Sequence, residues 1–164
     1  MIYILTGAIR SGKTTTLFNW CKNRQDVDGL LCPDNSVGKR FFLKIPSEVE
    51  VALEVGTDVE TEKIIQIGSF RFLKSAFDKA NNYLLSIASN NPNTYIIIDE
   101  IGKLELKNDG LHESAEQLIS KFQLDEKHHV ILVVRDYLLD AVLEHYAISE
   151  YSVIKNEDLK RDYF

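Results

Sequence analysis

Apolar residues along the chain fall into two alternating patterns. Short runs are apolar throughout: IYIL at residues 2–5, YIII within TYIIIDE at 94–100, and VILVV at 130–134. Such runs lack polar alternation, as central parallel strands covered on both faces do. YSVI at 151–154 reads as a last strand. Between these runs apolar positions recur at helical spacing. One stripe follows Gly12 and comprises Thr14, Leu17, Phe18 and Cys21. A longer one comprises Leu73, Ala76, Phe77, Ala80, Leu84, Ile87 and Ala88; Ser69 is placed to cap it and NNPN at 90–93 to stop it. Two more hold Leu111, Ala115, Leu118, Ile119 and Phe122, then Leu138, Leu139, Val142, Leu143 and Tyr146. Strands alternating with helices predict an α/β fold built on a mostly parallel sheet.

One region breaks the rhythm. DGLLCPDNSVGKRFFLKI sets turn residues between two apolar runs, predicting a hairpin of 30–32 against 40–45, and VEVALEV at 49–55 supplies a third strand. Residues 28–56 therefore read as a β-rich insertion on the sheet edge, within a single domain spanning 1–164. A short strand is predicted at 64–67, and the charged KNEDLKRDYF tail is placed at the surface.

Composition narrows the partners. The net charge of −6 and a pI near 5.2 argue against a nucleic-acid partner, although a few local donors suffice to bind a nucleotide. Cys21 and Cys32 form no CxxC pair and read as reduced thiols. The N-terminal apolar run is too short for a signal peptide, and the later runs are too short to span a bilayer. The expectation is a soluble cytoplasmic protein with no membrane partner.

The chemistry starts at GAIRSGKT, residues 7–14, which fits G-x-x-x-x-G-K-[ST] at every required position. Gly7 allows a sharp turn off the strand and Gly12 lets backbone approach a phosphate. The amides of Gly7, Ala8, Ile9, Arg10, Ser11, Gly12, Lys13, Thr14 and Thr15 are placed to cradle phosphates at a helix N-terminus. Lys13 would bridge the β- and γ-phosphates, and the Thr14 hydroxyl would ligate Mg²⁺. Arg10 is not fixed by the pattern; it reads as a solvated loop tip, or as a charge able to fold over a triphosphate.

YIIIDE delivers a second cluster. Its apolar strand carries Asp99 to the carboxyl end, where ligands bind in open α/β sheets. Asp99 is placed to hold the metal shell with Thr14. Glu100, the next residue, would face the opposite side of an ideal strand. If the backbone turns there, Glu100 can orient and deprotonate an attacking water.

The longer run IIIDEIGKLEL, residues 96–106, closely resembles the signature of the thermophile-type nucleoside-triphosphatase family, in which a strand leads into D-E-I-G-(K/P)-(M/L)-E-L. GKRFFL at 38–43, IGSFRF at 67–72 and VILVVRD at 130–136 resemble further segments of that family. The resemblance implies a single RecA-like P-loop domain: a three-layer sandwich around a mostly parallel sheet, with a β-hairpin insertion. It also implies Mg²⁺-dependent hydrolysis of several nucleoside triphosphates (ATP, GTP, CTP, UTP) to diphosphate and phosphate. Lys13, Thr14, Asp99 and Glu100 keep their roles. The chain departs from the family pattern at Ile9, where a proline is common, at Arg10, where a glycine is usual, and at Phe41, where the R-x-G-F segment has its glycine.

Arg135 and Lys103 follow strands whose carboxyl ends face the nucleotide, and Arg135 is the candidate for stabilising charge on the γ-phosphate. Arg40 reads as solvated, Glu105 as structural, and Trp20 as packing. The four histidines share no metal-ligand spacing with the cysteines. Two rivals to hydrolysis stand. One is a small-molecule kinase, since the loop is close to that of adenosylcobinamide kinase/guanylyltransferase; it would need an acceptor pocket and an arginine-rich lid, and no segment carries an arginine cluster. The other is a slow nucleotide-dependent switch or assembly factor acting with a protein partner.

Overall fold

The computed structural model describes residues 1–59, 63–90 and 95–161. Seven strands form one sheet in the order β4-β3-β2-β7-β8-β1-β9. Five of them are parallel: β1 (Ile2–Gly7), β2 (Val27–Leu31), β7 (Tyr95–Ile101), β8 (His129–Arg135) and β9 (Tyr151–Ile154). The antiparallel pair β3 (Phe41–Ile45) and β4 (Glu50–Ala52) completes one edge. A separate hairpin pairs β5 (Ile64–Ile67) with β6 (Phe70–Leu73).

The unbroken apolar runs are buried on both faces. Ile96 and Ile98 of β7, with Val130, Leu132 and Val134 of β8, pack toward α2 (Lys74–Asn90), α3 (His112–Phe122) and α4 (Leu139–His145). Ile97, Ile131 and Val133 face the other way, toward α1 (Lys13–Cys21) and α5 (Asn156–Lys160). All of these strand residues are at most 3% exposed, which is the burial that makes polar alternation impossible in such strands. The result is the expected three-layer α/β architecture.

Several sequence expectations are refined. The 30–32 and 40–45 runs do pair, with Leu30 opposite Lys44 and Leu31 opposite Leu43, while β2 also pairs in parallel with β7. The third strand of this group is confined to Glu50–Ala52. Ser69 does not cap a helix. FRFL extends as strand β6, and α2 begins only at Lys74, after Leu73. Bulky alternating residues with Gly68 and Ser69 before them favour a hairpin over a helix start. The charged tail contains a short helix, α5, whose Leu159 is buried against the α1 face. Of the NNPN stop, residues 91–93 lie outside the described residues, as does Thr94.

The join between β2 and β7 is unusually close. Gly29 has φ of 128°, and a Cβ there would lie 2.6 Å from the Ile97 nitrogen and nearer still to its carbonyl oxygen. No side chain fits. Gly29→Ala is expected to lower stability by about 3 kcal/mol, combining overpacking with backbone strain; urea denaturation followed by circular dichroism checks this.

Candidate active site

Strand order builds the site. β8 lies between β1 and β7, so its last residue, Arg135, is flanked by the glycine loop on one side and by the Asp99–Glu100 pair on the other. Gly7 is in register with Arg135, and Val134 with Ile101.

The loop runs from β1 into α1. Gly12 precedes the helix in a left-handed conformation, and no side chain caps the first turn. Those amides are therefore available to an anion, reinforced by the helix dipole. Lys13 folds back over the loop. Its ammonium donates to the Gly7 carbonyl at 2.9 Å, the Ala8 carbonyl at 2.7 Å and Ser11 Oγ at 3.3 Å. Burial pulls the Lys13 ammonium below its ordinary pKa, with Asp99 opposing. Arg10 is exposed and has φ of +58°, a left-handed conformation that glycine adopts at no steric cost. This is the physical reason a glycine suits that position.

Asp99 is 2% exposed. Its Oδ2 accepts from Thr14 Oγ1 at 2.8 Å and from the Cys32 amide at 2.9 Å. Burial pushes its pKa up to about 6, with the Cys32 amide, Thr14 and Lys13 pulling down and Glu100 adding to the rise.

Glu100 escapes strand alternation by a bulge. Between Ile98 and Ile101, β7 holds one residue more than β8, and Glu100 has φ of +72°. Such an insertion bends a strand and re-aims a side chain. Both acids consequently line one cleft. Glu100 Oε1 accepts from Arg135 Nη2 at 2.6 Å and forms an ion pair with Arg40 Nη1 at 2.8 Å.

Arg40 is not the solvated residue the sequence suggested. Besides holding Glu100, its guanidinium lies 5.0 Å from the centre of the Phe70 ring. Its backbone is fixed by Glu54, whose Oε2 accepts from Arg40 N at 3.1 Å and whose amide donates to Arg40 O at 3.0 Å. No local sequence signal marks Arg40, because Glu54, Phe70 and Glu100 all lie well apart from it in sequence. Asn156 is a second missed residue. Its Nδ2 donates to the Ser11 carbonyl at 2.9 Å, tying α5 to the loop.

Ile9, Arg10, Ser11, Gly12, Lys13, Thr14, Thr15, Asp99, Glu100 and Arg135 thus surround a single cleft of about 440 Å³. Lys103 is exposed and lines a neighbouring cavity. Glu105 is structural, as expected: its carboxylate accepts from the Gly102 and Leu111 amides, both at 2.9 Å, and closes the loop after β7. Burial pushes its pKa up to about 7.

The donor set fits a hard divalent cation. Mg²⁺ takes oxygen ligands, commonly one or two from protein and the rest from phosphates and water. Thr14 Oγ1 and Asp99 Oδ2 stand 2.8 Å apart at the loop, and the hydroxyl oxygen keeps a lone pair while donating. Among the described residues no group of three His, Cys, Asp or Glu side chains could hold a metal without a ligand's help.

Two stability effects follow. Asp99 has a folded pKa above its unfolded value, so the folded state binds the extra proton and loses stability as pH rises from about 4 through 6. Because Thr14 and Cys32 bond the same oxygen, an asparagine can satisfy both. Without nucleotide or divalent cation, Asp99→Asn is expected to raise stability at pH 7.5 by on the order of 3 kcal/mol, and the gain should vanish below about pH 4; urea titrations across pH measure it. Arg10→Gly is expected to add about 1 kcal/mol by relieving left-handed strain, read in the same assay.

Comparison with known proteins agrees with this architecture. Two solved structures align over 99% of this chain at 18% identity. One is THEP1 from the hyperthermophile Aquifex aeolicus, with a TM-score of 0.71 over 96% of its length. The other is the solution structure of a human cancer-related nucleoside triphosphatase, with a TM-score of 0.69 over 94%. At that identity they establish the fold. No curated protein matches the sequence. A family model described as NTPase matches residues 2–162. With a match over nearly its whole length, and a resemblance in IIIDEIGKLEL pointing the same way, this chain belongs to that NTPase family.

Proposed function

We propose that the protein hydrolyses nucleoside triphosphates to diphosphate and inorganic phosphate with Mg²⁺ as cofactor and broad tolerance of the base. The observation that carries this reading is the bulge that turns Glu100 into the cleft beside Asp99. A carboxylate at that point faces the same space as the phosphate loop and has two arginines at hand.

The roles follow from the chemistry of each group. Lys13 is held at the mouth of the loop by two carbonyls, from which its N–H groups can be redirected to β- and γ-phosphate oxygens as stronger, charge-assisted bonds. The loop amides bind the phosphates at the open first turn of α1. Thr14 and Asp99 would hold Mg²⁺, which when bound neutralises charge on the phosphates. Glu100 orients a water and accepts its proton as that water attacks the γ-phosphorus. Arg135 and Arg40 can turn from Glu100 to the γ-phosphate oxygens as charge spreads over them, acting as internal arginine fingers. Moving them also frees the Glu100 carboxylate to act as base.

Phosphate release from ATP, GTP, CTP and UTP in the presence of Mg²⁺ tests this reading. All four are expected as substrates, and chelation is expected to stop release. Glu100→Gln should lower turnover by about 10²-fold or more with nucleotide affinity retained, and Arg135→Ala by about 10³-fold. Turnover in Glu100→Gln equal to wild type would refute the assignment of the base.

A further inference from the structure

Beyond Glu100 the phosphate cleft opens into a second cavity of about 290 Å³. Cys32, Arg40, Phe70, Asp99, Glu100 and Arg135 line both spaces. The further walls of the second are largely apolar, with Phe42, Phe72, Phe77, Leu53, Leu111 and Leu138 among them. Hydrolysis does not need this space, since an attacking water occupies a single position. An apolar cavity of about 150 Å³ accepts benzene, so this one, about twice as large, accommodates one ring with a short substituent.

The shared end sets the chemistry of the occupant. Glu100 Oε1 accepts a hydrogen bond from Arg135 and pairs with the charge of Arg40. A group lodged there meets a carboxylate that accepts and guanidinium groups that donate. A hydroxyl does both. The same end faces the loop where a γ-phosphate would sit.

Groups able to screen such a reaction line the cleft. Phosphoryl transfer to an alcohol competes with hydrolysis and depends on excluding water. No single segment holds an arginine cluster, but the fold gathers Arg10, Arg40 and Arg135 from three elements around the cleft. Phe70, on the β5–β6 hairpin and 40% exposed, lines the junction of the two spaces.

We propose that this cavity is a second substrate site for a small, mostly apolar alcohol, to which the enzyme transfers the γ-phosphoryl group in place of water. The proposal rests on the reading of the cleft as a triphosphate site with Glu100 as base. The alcohol oxygen bonds to the γ-phosphorus, and the bond from that phosphorus to the β–γ bridging oxygen breaks. The nucleoside diphosphate leaves with the electron pair. The alcohol proton passes to Glu100 and then to solvent. The products are the diphosphate and a phosphate monoester, and no further reactant is required.

The test incubates the enzyme with Mg²⁺ and ATP, with and without benzyl alcohol, 2-phenylethanol or cyclohexylmethanol, and follows products by ³¹P NMR. Leu138→Trp narrows the cavity at a half-buried wall position away from the phosphate and acid groups. Ile67→Trp, on another wall, replaces it if circular dichroism finds the first variant unfolded. Wild type is expected to form monoester at the expense of inorganic phosphate. The tryptophan variant should form at least about tenfold less while releasing phosphate at the wild-type rate without alcohol. Phosphate release with no monoester from any of the three alcohols overturns the transfer and leaves hydrolysis standing. Slowed release without monoester makes the cavity an inhibitory site and also overturns it. Monoester formed equally by the variant overturns the cavity as the acceptor site. Neither product, with ATP bound, refutes the hydrolysis reading and the transfer together.

Discussion

A single carboxylate oxygen holds the site together. Asp99 Oδ2 receives the hydroxyl of Thr14, just past the glycine loop, and the amide of Cys32, just past β2. Its own strand, β7, lies next to β2 and one strand removed from β1. The bond to Thr14 therefore crosses over the end of β8 and fixes the phosphate loop relative to the acidic strand. Burying an ionisable group costs stability unless it is well paired, and the raised pKa of Asp99 expresses that residual cost. Proteins keep such strained groups where function needs them. The same carboxylate that weakens the empty fold is the one positioned to meet a cation.

Glu100 complements this arrangement through backbone geometry. A regular strand would send it to the face opposite Asp99. One extra residue and a left-handed φ bring it back into the cleft, and two arginines from different parts of the chain hold it there. Those guanidinium groups offset the charge of the acid. The cavity behind Glu100 gives the carboxylate a second, more apolar neighbour.

Local signals in the sequence carry much of the site, because phosphate binding depends on contiguous residues. The spacing of Gly7, Gly12, Lys13 and Thr14 dictates a loop by itself, and unbroken apolar runs dictate strands buried on both faces. Arg135 was also readable, since the end of a parallel strand is where ligands bind. What escaped were residues defined by distant partners. Arg40 sits in a stretch that reads as an ordinary charged hairpin, and Glu54, Phe70 and Glu100 give it its place in the cleft. Asn156 belongs to a charged tail until α5 is seen to rest on the loop. Ser69 was misread because helical periodicity and a β-hairpin with alternating aromatics are hard to separate over so few residues.

The sheet order has a temporal consequence. Ile2 of β1 pairs with Val130 on one side and Tyr151 on the other, and the Ser11 carbonyl waits for Asn156. The strand that launches the phosphate loop leaves the ribosome before its flanking strands and its clamp, which lie more than a hundred residues further along the chain. Contacts so distant in sequence form slowly, while β2, β3 and β4 can pair among near neighbours. The nucleotide site is therefore complete only once these distant partners have paired, and ligand affinity marks the completion of the fold.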